Sequence, residues 1–174
     1  MSYPNFVSGD VLTAADMNAL GLYLVKTQTI GTGVSSVTVT GAFSADYDNY
    51  LITVNNGVAS TGGDLRLGLG ASVTGYKSQI IYALYSTTVL GFTATTSQWN
   101  YAGSSSTNEV QALCYVNSPF LTKFTKLNAT YANETAFVGG GGIHEVAASY
   151  TSFTIAPSVG TITGGTIRVY GIKN

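Results

Sequence analysis

The sequence predicts an all-β fold, and three observations point to it. Thr, Ser and Gly are abundant, and the chain has 12 Tyr but only 3 Pro, a composition that favours strands joined by tight turns. Apolar and polar residues alternate with a period of two from about residue 34 onward. Clusters of Gly, Asn, Ser and Pro separate these segments. We therefore expect a β-sandwich of jelly-roll type, preceded by a short N-terminal α-helix.

The chain length of 174 residues fits one domain, because a domain usually has about 100–200 residues. Residues 1–30 are predicted to be an attachment segment that contains the helix. Residues 31–174 are predicted to form the β-sandwich domain.

The helix is predicted from a capping pattern near the start of the chain. Thr13 is a suitable N-cap, and Asp16 follows at the position where an acidic side chain faces the positive end of the helix dipole. Leu12 and Met17 have the spacing of a hydrophobic staple, and Leu20 extends the apolar stripe. We expect Leu12, Thr13, Met17 and Leu20 to attach the chain to a partner. The alternative, in which the helix packs on its own domain, remains open.

Seven segments carry the strand pattern most clearly. In chain order they are 49–55, 65–69, 80–85, 110–116, 127–131, 153–155 and 167–169. Residues 80–85 are apolar on both faces, which predicts a central strand or a subunit interface. We therefore expect a homo-oligomer, with a trimer favoured, whose interface contains Ile81 and Tyr85.

The sequence indicates no catalytic, cofactor or metal site, and no enzyme is predicted. His144 is the only histidine and follows the glycines at 139–142, where we expect a flexible hairpin. No pair of His or Cys has metal-ligand spacing, and no Gly-x-Ser-x-Gly motif occurs. Asp46 and Asp48 fit a solvated turn better than a pair of glycosidase carboxylates. Cys114 is predicted to be buried.

Charge excludes two classes of partner. Only 9% of the residues are charged and the net charge is −1, so the clustered Lys and Arg of a nucleic-acid binder are missing. The basic residues are scattered singly, so no polybasic membrane anchor is expected. No apolar run approaches the roughly 18 residues of a transmembrane helix, and the first residues lack the pattern of a secretory signal.

Aromatic residues beside Ser, Thr and Asn suggest a contact surface for sugars or for another subunit. Trp99 and Tyr101 are the residues that we expect to contact a glycan. Which of the many aromatic side chains are exposed is left open by the sequence.

Three segments resemble bacteriophage virion proteins, in particular small tail-fibre and head-decoration subunits. Residues 6–18 (FVSGDVLTAADMN) are similar to the N-terminal "GD-x-LTA-x-x-(M/L)N" segment of phage appendage proteins. Residues 43–54 (FSADYDNYLITV) are similar to the "Y-D-N-Y" start of a strand in phage jelly-roll domains. Residues 165–172 (GTIRVYGI) resemble the last strand of the same domains.

The resemblance implies a structural protein of the virion, assembled in the cytoplasm of the host bacterium, and frequent trimers. Its implied partners are other tail or capsid proteins and, as a further candidate, a glycan of the host surface. A short tail-fibre or tail-tip subunit is the leading interpretation. The alternatives are a capsid decoration protein of the cement or head-fibre kind and, outside this class, a free carbohydrate-binding module. The chain lacks the repetitive shaft of long fibres.

Overall fold

The computed structural model describes residues 21–172, and every regular element in this range is a β-strand. The described residues therefore contain no helix that is long and apolar enough to cross a membrane. The strands are β1 (Leu22–Thr29), β2 (Val37–Val39), β3 (Asn49–Ala59), β4 (Gly63–Leu69), β5 (Tyr76–Leu84), β6 (Val89–Thr96), β7 (Trp99–Ser105), β8 (Val110–Asn117), β9 (Lys123–Ala132), β10 (Ala136–Ala148), β11 (Phe153–Pro157), β12 (Ile162–Thr163) and β13 (Thr166–Ile172).

These strands join into one large antiparallel sheet that branches at β8. One edge of β8 pairs with β3, which continues to β13 and then to β1. The other edge pairs with β7 near its start and with β9 near its end. Two wings follow from there: the first wing is β7-β4-β11-β2, and the second wing is β9-β10-β5-β6. The all-β prediction is confirmed for the described residues.

Strict alternation of buried and exposed residues explains why the predicted strands form. In β8, Val110, Ala112, Cys114 and Val116 are buried while the residues between them are more exposed. Strand β9 follows the same rule from Thr125 to Tyr131. Both wings send such residues into one main core, and each fully buried large apolar side chain contributes about 1.5–3 kcal/mol. A smaller cluster on the second wing contains Ile80, Tyr131, Ala136 and Val138.

The hairpin expected at residues 139–142 is wrong, because these glycines lie in the middle of the 13-residue strand β10. Strand β10 is paired along both edges, with β5 and with β9. A Cβ at Gly140 would lie 2.5 Å from Ile80 Cγ2, and a Cβ at Gly142 would lie 2.6 Å from the ring of Trp99. The glycines therefore permit close packing over a strand rather than a turn.

The β-domain begins earlier than predicted. Strand β1 falls inside the segment 1–30 that was assigned to attachment, yet it pairs with β13 from Leu22 to Thr29. Leu24, which continues the helical spacing of Met17 and Leu20, lies in this strand. Gly21, with a φ of 97°, precedes it. Leu22–Thr29, predicted as part of the attachment segment, thus belongs to the sheet.

Candidate functional site

A cleft of about 600 Å³ opens beside the smaller cluster, where the two wings meet. This volume is within the range of about 300–1,000 Å³ that is typical of ligand pockets. Four parts of the chain supply its walls: the start of β4, the end of β7 with the loop after it, strands β5 and β6, and the β9–β10 turn. The cleft combines aromatic, hydroxyl, amide and carboxylate side chains.

Asp64, at the start of β4, is held in the cleft wall by Tyr131 of β9. The Tyr131 hydroxyl donates a hydrogen bond of 2.9 Å to Asp64 Oδ1. Burial raises the pKa of Asp64, while this hydrogen bond and the nearby Arg66 charge act in the opposite direction. Burial is also the main cause of the raised pKa of Tyr131. Tyr131 therefore remains a hydrogen-bond donor at neutral pH.

A second carboxylate, Glu134, is carried by the β9–β10 turn. It accepts hydrogen bonds from the Ser106 hydroxyl and, at 2.8 Å, from Asn108 Nδ2. The bond from Ser106 is the main cause of the lowered pKa of Glu134. The side chain of Asn133 fixes this turn by accepting bonds from the backbone N–H groups of Thr135 and Ala136. The cleft therefore has an ionised acceptor at its mouth.

Aromatic rings form the apolar part of the cleft. Tyr82 and Phe92 meet edge to face with ring centroids 6.3 Å apart, and the Tyr82 hydroxyl lies 3.1 Å from Thr135 Oγ1. Tyr101 is half-buried in the wall and has a φ of 63°. A positive φ is a true outlier for a bulky residue.

Of the two residues expected to contact a glycan, Tyr101 lines the cleft and Trp99 does not. Trp99 has no exposed surface and packs edge to face on Tyr76, with centroids 5.2 Å apart. The expectation for Trp99 is therefore wrong, because β10 lies against its ring at Gly142. Sequence reasoning missed Asp64, Tyr131 and Glu134. Tyr131 and Glu134 are close together, at the end of β9 and in the turn after it, but Asp64 is 67 residues away from Tyr131 and no local spacing links it to them.

His144 is a core residue and does not form a site with Glu145. Its ring is fully buried against Tyr76 at a centroid distance of 4.2 Å, and its Nε2 lies 2.8 Å from Ser72 Oγ. Burial lowers the pKa of His144. Glu145 is on the other face of the strand and forms an ion pair of 2.7 Å with Lys77. Within residues 21–172, no group of three or more His, Cys, Asp or Glu side chains is arranged to hold a metal ion.

An exposed apolar face covers the outer side of the second wing. Ile81 and Tyr85, the residues expected at the subunit interface, are 61% and 63% exposed. Ile81 pairs with Gly139 and Ala83 pairs with Phe137, so Phe137 lies diagonally beside Ile81 on the same face. Val89 pairs with Ala83 and joins this face. The expected attachment residues Leu12, Thr13, Met17 and Leu20 lie outside the described residues.

Comparisons with known proteins identify no family. No protein-family model matches the chain, and no curated protein matches it. One solved structure with some likeness is described as the structure of infectious bursal disease virus Gx strain (12% identity, 86% of this chain, TM-score 0.15). Another is the VP2 subviral particle of infectious bursal disease virus (10% identity, 87% of this chain, TM-score 0.14). The chain spans 41% of the length of each of these chains, and the TM-scores are too low to define a shared fold.

Proposed function

We propose that this protein is a non-enzymatic structural subunit of a bacteriophage virion, specifically a short tail-fibre or tail-tip subunit. Its N-terminal segment attaches it to the particle, and its β-domain projects outward. In this proposal the two wings form the layers of a jelly-roll-like sandwich. The proposal rests first on the resemblance of residues 6–18, 43–54 and 165–172 to phage virion proteins.

One structural observation carries the proposal further. The segments 43–54 and 165–172 are separated by most of the chain, yet their strands are direct neighbours. Strand β13 pairs with β3 without interruption from Thr166 opposite Asn55 to Ile172 opposite Asn49. Two of the three resembling segments thus form one structural unit, as expected if they derive from one ancestral domain rather than from separate chance matches.

Attachment can be tested by deleting residues 1–20 in a phage that carries this protein. The proposal expects a β-domain that still folds but is missing from purified particles. Those residues would bury a narrow apolar stripe on the particle, and several copies in an oligomer would add avidity. Wild-type particles are the control, detected with an antibody against the β-domain. Normal incorporation of the truncated subunit would contradict the proposal.

The proposal includes a homo-oligomer, with a trimer favoured, formed through the outer face of the second wing. An exposed apolar surface that contains Ile81, Tyr85, Val89 and Phe137 is typical of a protein interaction site. Sedimentation equilibrium should give the mass of an oligomer for the wild type and of a monomer for Ile81→Asp. Val73→Asp is the matched control, since Val73 is 66% exposed in the turn before β5. A monomeric wild type at micromolar concentration would refute this part.

A capsid decoration protein is the alternative within the same class. Separated heads and tails, analysed for this subunit by mass spectrometry, distinguish the two positions. A free carbohydrate-binding module is the third candidate, and the cleft is the observation in its support. Such a protein would be missing from both the head fraction and the tail fraction.

A further inference from the structure

The cleft presents polar side chains that a ligand can reach. Thr107 and Asn108 are exposed, Asn133 is partly exposed, and all three line the cleft. A few hydroxyl and amide groups of this kind fix the orientation of a ligand in a pocket.

Tyr101 lines the cleft in an energetically costly conformation. Its φ of 63° occurs inside strand β7, beside an irregularity in the pairing of β4 with β7 between Leu65 and Leu67. Strained backbone of this kind is concentrated at ligand sites, where the surrounding structure maintains it. The strain re-aims the Tyr101 ring into the wall of the cleft, where it can stack on a flat apolar surface.

The charge of the cleft is negative. Asp64 and Glu134 line it, and none of the described residues that line it is Lys or Arg. The Arg66 charge acts on Asp64 from a separate, adjoining hollow. An anionic ligand would be repelled here, whereas hydroxyl groups can donate to both carboxylates.

We infer that this cleft binds a neutral saccharide of one or two rings, with Asp64 and Glu134 accepting hydrogen bonds from its hydroxyls and Tyr101 stacking on a ring face. The inference deepens the proposed function, since it gives the projecting domain a ligand chemistry. A saccharide has apolar ring faces and polar hydroxyls. The aromatic rings of the cleft can contact the ring faces, and its polar groups can bond the hydroxyls. A volume of about 600 Å³ suits a ligand of this size.

A quaternary ammonium ligand is the main competing chemistry, because aromatic rings beside carboxylates also bind cations. A quaternary ammonium group has no N–H and no hydroxyl, so the lining hydroxyls and amides of Thr107, Asn108 and Asn133 would gain no hydrogen bond from it. A polyhydroxylated ligand can satisfy these groups, and the observations therefore favour the saccharide.

The test uses isothermal titration calorimetry on the full chain. The neutral probes are lactose, maltose, N,N′-diacetylchitobiose and methyl α-mannoside, and the acidic probe is sialyllactose. Choline is the cationic probe. We expect at least one neutral saccharide to bind and sialyllactose and choline not to bind. Absence of binding to all four neutral probes at millimolar concentration overturns the inference, as does binding of choline alone.

Variants locate the site. Asp64→Asn and Glu134→Gln keep the shape of the side chain and its hydrogen bonds from Tyr131 and Ser106, so each variant should fold and bind about tenfold more weakly. Asp46→Asn is the control, because it removes the same charge from an exposed turn outside the cleft. Unchanged affinity in both cleft variants would overturn the inference.

Tyr101→Ala should also weaken binding by about tenfold, through loss of stacking. Tyr115→Ala, on exposed β8 surface, is the matched aromatic control. Particle incorporation is measured separately with Tyr101→Ala phage. Normal incorporation with lost saccharide binding supports both proposals. A wild-type protein that binds saccharide but is absent from particles would refute only the virion role.

Discussion

The ring of Tyr47 lies directly against Gly171, so that a Cβ at position 171 would come within 2.6 Å of three ring atoms. Tyr47 also stacks with Tyr23 and meets Tyr50 edge to face, with centroids 5.8 and 5.9 Å apart. These contacts join the loop before β3 to β13 and β1. The glycine of the last strand and the first tyrosine of the "Y-D-N-Y" segment are therefore one packing unit.

Gly171→Ala should lower the free energy of unfolding by about 1–3 kcal/mol, the usual cost of overpacking. The Tyr47 ring must move, and its contacts with Tyr23 and Tyr50 weaken with it. Urea denaturation measures the loss. In a Tyr47→Ala background the same glycine substitution should cost much less, as a double-mutant cycle would report. Equal costs in both backgrounds would mean that this contact is not the cause.

Alanine substitutions at two glycines of β10 should differ in their effect on stability. Gly142→Ala should destabilise the protein by about 1–3 kcal/mol, because its Cβ would lie 2.5 Å from the Lys77 carbonyl and 2.6 Å from the Trp99 ring. Gly139→Ala is the matched control, since its Cβ would make only an ordinary contact of 3.5 Å with Phe137. Thermal unfolding should show a lower Tm for the first variant alone. A similar fall in both would argue against steric packing as the reason for these glycines.

Asp64→Asn should raise the free energy of unfolding at pH 7. Burial raises the pKa of Asp64 in the folded protein, so the stability that its neutral form contributes is lost as the pH rises through this pKa. The advantage of the variant should disappear near pH 3, below the ordinary Asp pKa of about 3.9. Urea denaturation at both pH values provides the check. A less stable variant at pH 7 would identify Asp64 as a structural anchor instead.

His144 should make the protein less stable as the pH falls below about 6.5. Burial lowers its pKa in the folded state, so the unfolded chain binds the proton more readily in this range. The Asp64→Asn protein is the suitable background, because it removes a carboxyl whose contribution has the opposite sign. His144→Gln in that background should flatten the dependence of Tm on pH between 6.5 and 5.5. An unchanged slope would assign the effect to other groups.

Cys114 should be inert to thiol reagents until the protein unfolds. Burial raises its pKa to about 12, and its Sγ donates to the Ala102 carbonyl oxygen at 3.0 Å. The reactive thiolate is therefore absent at pH 8. Ellman's reagent should label the thiol stoichiometrically in concentrated urea and not in native buffer. Labelling of the native protein within minutes would show that β8 opens far more readily than its pairing on both edges suggests.

Local patterns in the sequence were sufficient to identify much of the sheet. Alternation in β4, with Leu65, Leu67 and Leu69 all fully buried, depends only on the two-residue period of a strand. The same argument correctly predicted β3, β8, β9 and the inward position of Cys114. Each of these predictions uses residues that are adjacent in the chain.

Tertiary structure alone decided the rest, because it depends on which distant strands become neighbours. Trp99 is buried and Tyr101 is partly open, although both are aromatic residues of β7, because β10 covers one and a strained φ turns the other into the cleft. The glycines at 139–142 are turn residues by composition, but pairing with β5 and β9 makes them the centre of a strand. Asp64 and Glu134 share one cleft only because the two wings meet. The periodicity of residues along the chain does not predict that contact between distant strands.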